Sequence, residues 1–326
     1  MFGATVSGLS PAKATVKGGE VLQLPGAAER SSPEQGAAER PTLYHFPTSL
    51  PSQQVRLVLA EKGVEWHGTT VNIGPAHENL EPWYARLNSR MVVPTLEVEG
   101  RILTDVVEIV THVDEHFDGP SLIPEDPDER AEVLHWVEVQ AHFPMRELGY
   151  ARTKGMVRWF QRWSLRQQRG RLRRLIRKNP GLRKVYEARR RELDALDRGI
   201  RHRVAMQELV DEVDVLLDEI EATLEEREWL AGPRYTLADA MWTAVLSKLE
   251  QIGFARSLSS HRRPQIAQWY ARLRERPSWH AMIRRLSAWQ ALRFYGPAVA
   301  KTFLVFWVLK WMIVIGLGWL VAHLRG

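Results

Sequence analysis

"RMVVPTLEVEG", residues 90–100, sets a proline between a β-branched pair and an alternating Thr-Leu-Glu-Val-Glu run. Proline has no N–H to give to a sheet ladder, so within sheets it stands at the first residue of a strand or on an edge. Val93-Pro94 therefore marks the entry to a strand. "RILT" follows at once, and the two runs predict a hairpin turning near Glu99-Gly100. On its own the Val-Pro pair fits an ordinary trans proline; its purpose depends on the elements around it.

Working outward, "TLYHF" reads as a short strand. "PSQQVRLVLAEKG" reads as a helix with Pro51 in its first turn, Gly63 as its stop, and Val55, Leu57, Val58 and Leu59 as its apolar stripe. "VEWHGTTVNI" alternates as a second strand, and "HENLEPWYARLN" is a short helical turn. Downstream, "DVVEIVTHVDEHF" predicts a helix capped by Asp105. The order is β-α-β-α-β-β-α. After the proline-rich "DGPSLIPEDPDER" the remainder reads helical, including "YTLADAMWTAVLSKLEQIGFA", which opens on a Thr236-x-x-Asp239 capping box.

With 326 residues, 44% of them hydrophobic, the chain can bury two domain cores. It has no cysteine, which excludes disulfides, thiolate metal sites and a Cys nucleophile. The net charge of +6 is unevenly placed: residues 152–203 carry nineteen Lys/Arg against four Asp/Glu, and 208–228 carry ten acids and one Arg. Residues 1–41, with "GAAER" twice, are too small and polar to bury much surface and read as a disordered leader. Residues 303–322, "FLVFWVLKWMIVIGLGWLVA", hold one charge, Lys310. At ~1.5 Å per residue they span ~30 Å and predict a transmembrane tail anchor. Arg284, Arg285, Arg293 and Lys301 precede the span and only Arg325 follows it, which places the main body in the cytoplasm.

A β-α-β-α-β-β-α unit whose third strand opens on proline, followed by helices, resembles the cytosolic glutathione transferases. The fold expected is an α/β thioredoxin-like domain at 42–118, then an all-α domain at 125–292 with a basic insertion at 152–203, then the anchor. "LYHFPTSLPSQQVRLVLAEKG", "EPWYARLNS", "YTLADAMW", "QIGFARS" and "KNPGLRKVYEARRREL" narrow the resemblance to the ganglioside-induced differentiation-associated protein family. Members of that family are tail-anchored and bear on membrane dynamics in animals. Arginine dominates the bases here, 36 against nine lysines, which hints at a GC-rich source, so the mitochondrial and peroxisomal outer membranes on which the animal members sit do not transfer.

The resemblance implies roles for particular residues. The Val93-Pro94 peptide would be cis, with Val93 turning its N–H and C=O toward the backbone of glutathione. Ser49, just before the first helix, stands where the serine-type classes keep the hydroxyl that supports the thiolate, beside a helix N-terminus that favours the anion. A serine in a helix-entry turn is the competing reading. Thr48 and Ser52 are weaker candidates, and Tyr44 reads as structural. Transferases usually open the third helix with Gln/Glu-Ser, which holds the γ-glutamyl carboxylate; here the pair is Asp105-Val106, so a hydroxyl is missing and glutathione should bind weakly or not at all. His112 and His116, four apart, lack a third ligand and read as a surface pair, so no metal is expected.

In the basic block, Met156, Trp159, Phe160 and Trp163 share a helical face that Leu172, Leu175 and Ile176 resume. Such a helix suits an anionic membrane surface; the alternative is arginines paired with the acidic 208–228 helix. Nucleic acid is a poor match for a tethered chain. Two functions stay open: a serine-type glutathione transferase conjugating lipophilic electrophiles at a membrane, with homodimers usual for the fold, or a catalytically silent relative acting on membrane organisation through its insertion and anchor.

Overall fold

The computed structural model describes residues 40–153, 155–282, 289, 292–294, 296 and 297. Four strands form one sheet: β1 (Thr42–His45), β2 (His67–Thr70), β3 (Thr95–Val98) and β4 (Arg101–Leu103), in the order β2-β1-β3-β4. β1 and β2 are parallel, and β3 is antiparallel to both β1 and β4. Between β1 and β2 runs α1 (Leu50–Glu61); α2 (Pro82–Leu87) precedes β3, and α3 (Val106–His116) follows β4. This is the thioredoxin-like half. The expected second strand shrinks to four residues because it pairs only with β1 at an open edge. Arg40 and Pro41, assigned to the leader, belong to that edge: the Pro41 C=O accepts the His67 N–H at 2.9 Å, and Arg40 pairs with Glu65. Glu99 and Gly100, both at positive φ, make the two-residue hairpin turn, which glycine adopts without strain.

The helical half comprises α4 (Pro127–Ala141), α5 (Met145–Arg152), α6 (Gly155–Lys178), α7 (Arg183–Gly199), α8 (Arg203–Glu226), α9 (Leu237–Leu249), α10 (Pro264–Glu275) and α11 (Pro277–Met282). At its centre, α9 is buried almost throughout. Its capping box is formed: fully buried Asp239 accepts from the Thr236 N–H (2.9 Å), the Leu230 N–H (3.0 Å) and Trp269 Nε1 (2.9 Å). The helix expected to run on past Leu249 breaks at Gly253 (φ 98), whose C=O accepts from Arg152.

A buried ion pair inside the first half anchors the segment that connects it to the second. Lys62 Nζ lies 3.3 Å from Asp114 Oδ1, and the two Asp114 oxygens accept the Leu122 and Ile123 N–H groups of the connecting segment. The Leu122 C=O in turn accepts the Leu237 N–H at the head of α9.

The basic insertion folds as the α6–α7 hairpin. Arg169 reaches Asp194 and Asp197 across it, and Leu165, Leu172, Tyr186, Leu193 and Leu196 pack on Leu80, Ala85 and Met91 of the first domain. The alternative pairing of its arginines with the acidic helix is not made among the described residues. In α8, Asp214 and Asp218 hold buried Arg263, with Arg262 on Asp214, while Glu221 caps α10. Both groups thus belong to the short segment entering α10, which packs beside α8. No helix among the described residues is long and apolar enough to cross a membrane, and 303–322 lies outside them.

Two outcomes test this packing. Asp239→Ala strips four donors of their acceptor, the Thr236 hydroxyl included, and should lower the unfolding free energy by about 3 kcal/mol, read as a fall in the denaturant midpoint. Buried His77 is pushed from 6.5 down to about 4 by burial and by Arg171. The unfolded chain therefore binds the extra proton, and stability present above pH 6.5 drains away as the pH falls toward about 4. His77→Gln should flatten that acid limb in a series of thermal melts.

Candidate functional site

Strand pairing decides what meets what. β1 and β3 run antiparallel with Tyr44 opposite Thr95, and β4 returns with Leu103 opposite Leu96. The end of β1, the start of β3 and the end of β4 therefore share one end of the sheet. Ser49, Val93-Pro94 and Asp105-Val106 all follow or precede those strand ends within a few residues.

The Val93-Pro94 peptide is cis, as the resemblance implied. The residues before it are held by a polar trio. Tyr84 Oη donates to the Val92 C=O (2.7 Å), Asn88 Nδ2 donates to the same oxygen (2.9 Å), and Asn79 Nδ2 donates to the Met91 C=O (2.8 Å). Tyr84 and Asn88 also meet the Thr95 hydroxyl. Burial pushes the Tyr84 phenol up to about 12, so it remains a neutral donor. The Val93 side chain is buried with Phe46, Val71 and Tyr84, and Phe294 packs at the margin, its ring 5.6 Å from Phe46. Among the described residues neither the Val93 N–H nor its C=O has a hydrogen-bond partner. Asn79, Tyr84 and Asn88 were not singled out from the sequence; their only signal is a set of polar residues in the short turn leading to Val-Pro.

Ser49 is the N-cap of α1. Its backbone is extended (φ −72, ψ 125), its C=O accepts the Gln53 N–H, and its own N–H donates to Phe46. Its half-buried hydroxyl makes no capping bond. A serine kept only to start the helix would spend its oxygen on the first turn; this one is uncommitted. Ser52 is fully buried and accepts the Phe46 N–H at 3.3 Å, which removes it as a candidate. Tyr44 donates to Glu97 at 3.0 Å, in keeping with a structural role. Thr48 lies half-buried in the turn.

Asp105 caps α3, with Oδ1 accepting from Val107 (3.0 Å) and Glu108 (3.4 Å), while Oδ2 pairs with Arg90 at 3.1 Å. Its carboxylate is therefore engaged on both oxygens, and a ligand amine would compete with Arg90. Val106, at the first helical position, offers a backbone N–H without a hydroxyl.

The two histidines stack with ring centroids 4.1 Å apart, but only His116 is exposed. His112 is buried, which lowers its pKa and corrects the expected surface pair. Among the described residues no cluster of three or more His, Cys, Asp or Glu could hold a metal.

Comparison with known proteins agrees with this geometry. Residues 43–121 match the family described as glutathione S-transferase, N-terminal domain, and 201–277 match glutathione S-transferase, C-terminal domain. The chain is 33% identical over 252 residues to the tetrachloro-p-hydroquinone reductive dehalogenase of Sphingobium chlorophenolicum, covering 73% of this chain and 93% of that protein. It is 27% identical to human ganglioside-induced differentiation-associated protein 1-like 1, covering 78% of this chain and 76% of the relative. A theta class glutathione S-transferase from Xanthomonas axonopodis pv. citri, solved with glutathione bound, superposes with a TM-score of 0.55 at 21% identity over 76% of this chain and 99% of its own, which shows the shared fold. On the pairing of a thioredoxin-like half with a helical half, the cis proline and these matches, the chain belongs to the glutathione transferase family.

Proposed function

We propose that this chain binds glutathione as a substrate along Val93 and acts as a serine-type transferase on lipophilic electrophiles. The observation that carries this reading is the conjunction of unpartnered Val93 backbone groups with an uncommitted Ser49 hydroxyl, both at one end of the sheet. An extended peptide laid against Val93 would exchange two hydrogen bonds with it. Its cysteine sulfur would then face the N-terminus of α1. There the Ser49 hydroxyl donates to the thiolate, and the helix dipole further favours the anion, so more of the thiol is ionised at neutral pH. The chain has no cysteine of its own, so the reacting sulfur must come from the tripeptide. Burial of lipophilic substrates fits a chain anchored in a membrane by residues 303–322 with its body in the cytoplasm, and a homodimer is the usual state of the fold.

Asp105-Val106 sets the affinity. One hydrogen bond lost from a charged carboxylate costs about 1.5–3 kcal/mol, or roughly ten- to a hundredfold in Kd. Titration calorimetry should show weak glutathione binding that tightens by about tenfold or more in Val106→Ser. Ser49→Ala should lower conjugation of a generic electrophile by roughly a hundredfold with little change in glutathione Kd. Equal rates in the two proteins would remove Ser49 from the mechanism.

A second reading rests on α6. Arg158, Arg162, Arg166, Arg173 and Arg177 recur at helical spacing, and none of them forms an ion pair among the described residues. Exposed Trp159 stacks on Trp163 beside them. Here the protein contacts anionic lipid and acts on membrane organisation, with catalysis secondary. At ~1 kcal/mol per basic residue near the surface, five arginines outweigh the ordering of one helix face. A chain shortened to residue 302 should bind phosphatidylserine vesicles and not neutral ones, and Arg166→Glu with Arg173→Glu should abolish that binding; indifference to the reversal rejects the lipid face.

A further inference from the structure

The α6–α7 hairpin lies in the stretch between residues 121 and 201 that neither family match covers. Its inner face meets the segment that leads to Val93. Arg171 donates through Nη1 to the Ala76 C=O and pairs through Nη2 with Glu81, the N-cap of α2. Tyr186, fully buried, donates to the Leu80 C=O at 3.2 Å. Leu165, Leu172, Leu193 and Leu196 fill the space between these contacts and close it against Leu80, Ala85 and Met91. The hairpin is rigid in its own right, because Arg169 joins α6 to Asp194 and Asp197 of α7.

The same segment grips the cis-proline peptide from the other side. Asn79 holds the Met91 C=O, and Tyr84 and Asn88 hold the Val92 C=O, one residue before Val93. Residues 76–92 are thus the only covalent and hydrogen-bonded layer between the insertion and the Val93 backbone among the described residues. They contain one helix of six residues and one single 3₁₀ turn, too little regular structure to hold their shape unaided.

We propose that the insertion is a clamp on residues 76–92, and that Arg171 and Tyr186 are positioning residues that keep Val93 presented to its ligand. The proposal rests on the glutathione reading of that site and adds to it: the affinity of the site is set partly by a hairpin outside both family domains. Arg171 fixes one end of the segment by two bonds of different kinds, to a carbonyl and to a carboxylate. Tyr186 fixes the middle. Losing either should let the segment open without disturbing the sheet or the α8–α10 packing, which none of the α6–α7 contacts named above involves.

The test uses the full chain in detergent micelles, with amide hydrogen exchange read by mass spectrometry and glutathione binding by calorimetry. Arg171→Met should speed exchange across 76–92 and weaken glutathione binding by about tenfold, with Arg171→Lys in between because an ammonium reaches one of the two acceptors. Tyr186→Phe keeps the ring and its packing, so it tests the hydrogen bond alone and should raise exchange around Leu80 a few-fold. Exchange in α8 should stay unchanged in all three. Unchanged exchange at 76–92 in Arg171→Met and Tyr186→Phe overturns the clamp. Faster exchange with unchanged glutathione affinity overturns the positioning role. If the wild-type chain binds no glutathione, the reading of the site has failed, and the exchange measurements alone decide whether the clamp exists.

Discussion

Burial of α1 on every side is the constraint from which the rest follows. Its apolar residues Val55, Leu57, Val58 and Leu59 face the core, yet Ser52, Gln53, Gln54 and Arg56 are buried as well. A buried guanidinium is costly unless its N–H groups find acceptors. Arg56 is 1% exposed, and its Nη2 donates to the Pro47 C=O at 2.8 Å and the Met282 C=O at 2.7 Å, with His45 at 3.1 Å from Nη1. Gln54 reaches the Met241 C=O in α9. The helix that carries Ser49 is therefore held at once by its own sheet, by the central helix of the other half and by the end of α11. The loop from Phe46 to Ser49 inherits that fixity through Pro47.

A site built this way recognises backbone before side chain. Val93 presents an N–H and a C=O, Val106 another N–H, and Ser49 a single hydroxyl; the carboxylate of Asp105 is already shared between a helix cap and Arg90. Such a set suits a small extended peptide and offers little to a compact anion or a sugar. Positive charge is gathered elsewhere, on the α6 face, so the two proposed activities, tripeptide binding and attraction to an anionic surface, would be carried by separate parts of the chain.

The local features were legible in the sequence. Pro94, the Glu99-Gly100 turn, the Asp105 cap and the Thr236–Asp239 box each depend on residues within a few positions, and each appears where its chemistry placed it. What escaped depends on distant partners. Gln54 and Arg56 look like the polar face of an amphipathic helix, and only contacts 187 and 226 residues away make them interior. The insertion's stripe of Leu172, Leu175 and Ile176 announced that it packs, without saying that Leu80 and Met91 receive it. The opposite charges of 152–203 and 208–228 suggested a pairing that Arg262 and Arg263 pre-empt, since complementary totals do not choose among many arginines. Ser49 was singled out by position, but that its hydroxyl makes no capping bond is a matter of side-chain geometry that no pattern records.

Phe294, lodged against Phe46 beside Val93, has a consequence for range. Residue 303 lies nine positions further on, and nine residues reach at most ~30 Å even when fully extended. If the apolar stretch beginning there is lodged in a bilayer, the mouth of the site works on a leash about one bilayer core in length. Poorly water-soluble molecules dissolved in that layer would then meet the thiol at concentrations set by their partition into lipid, and bulk solubility would cease to limit the encounter.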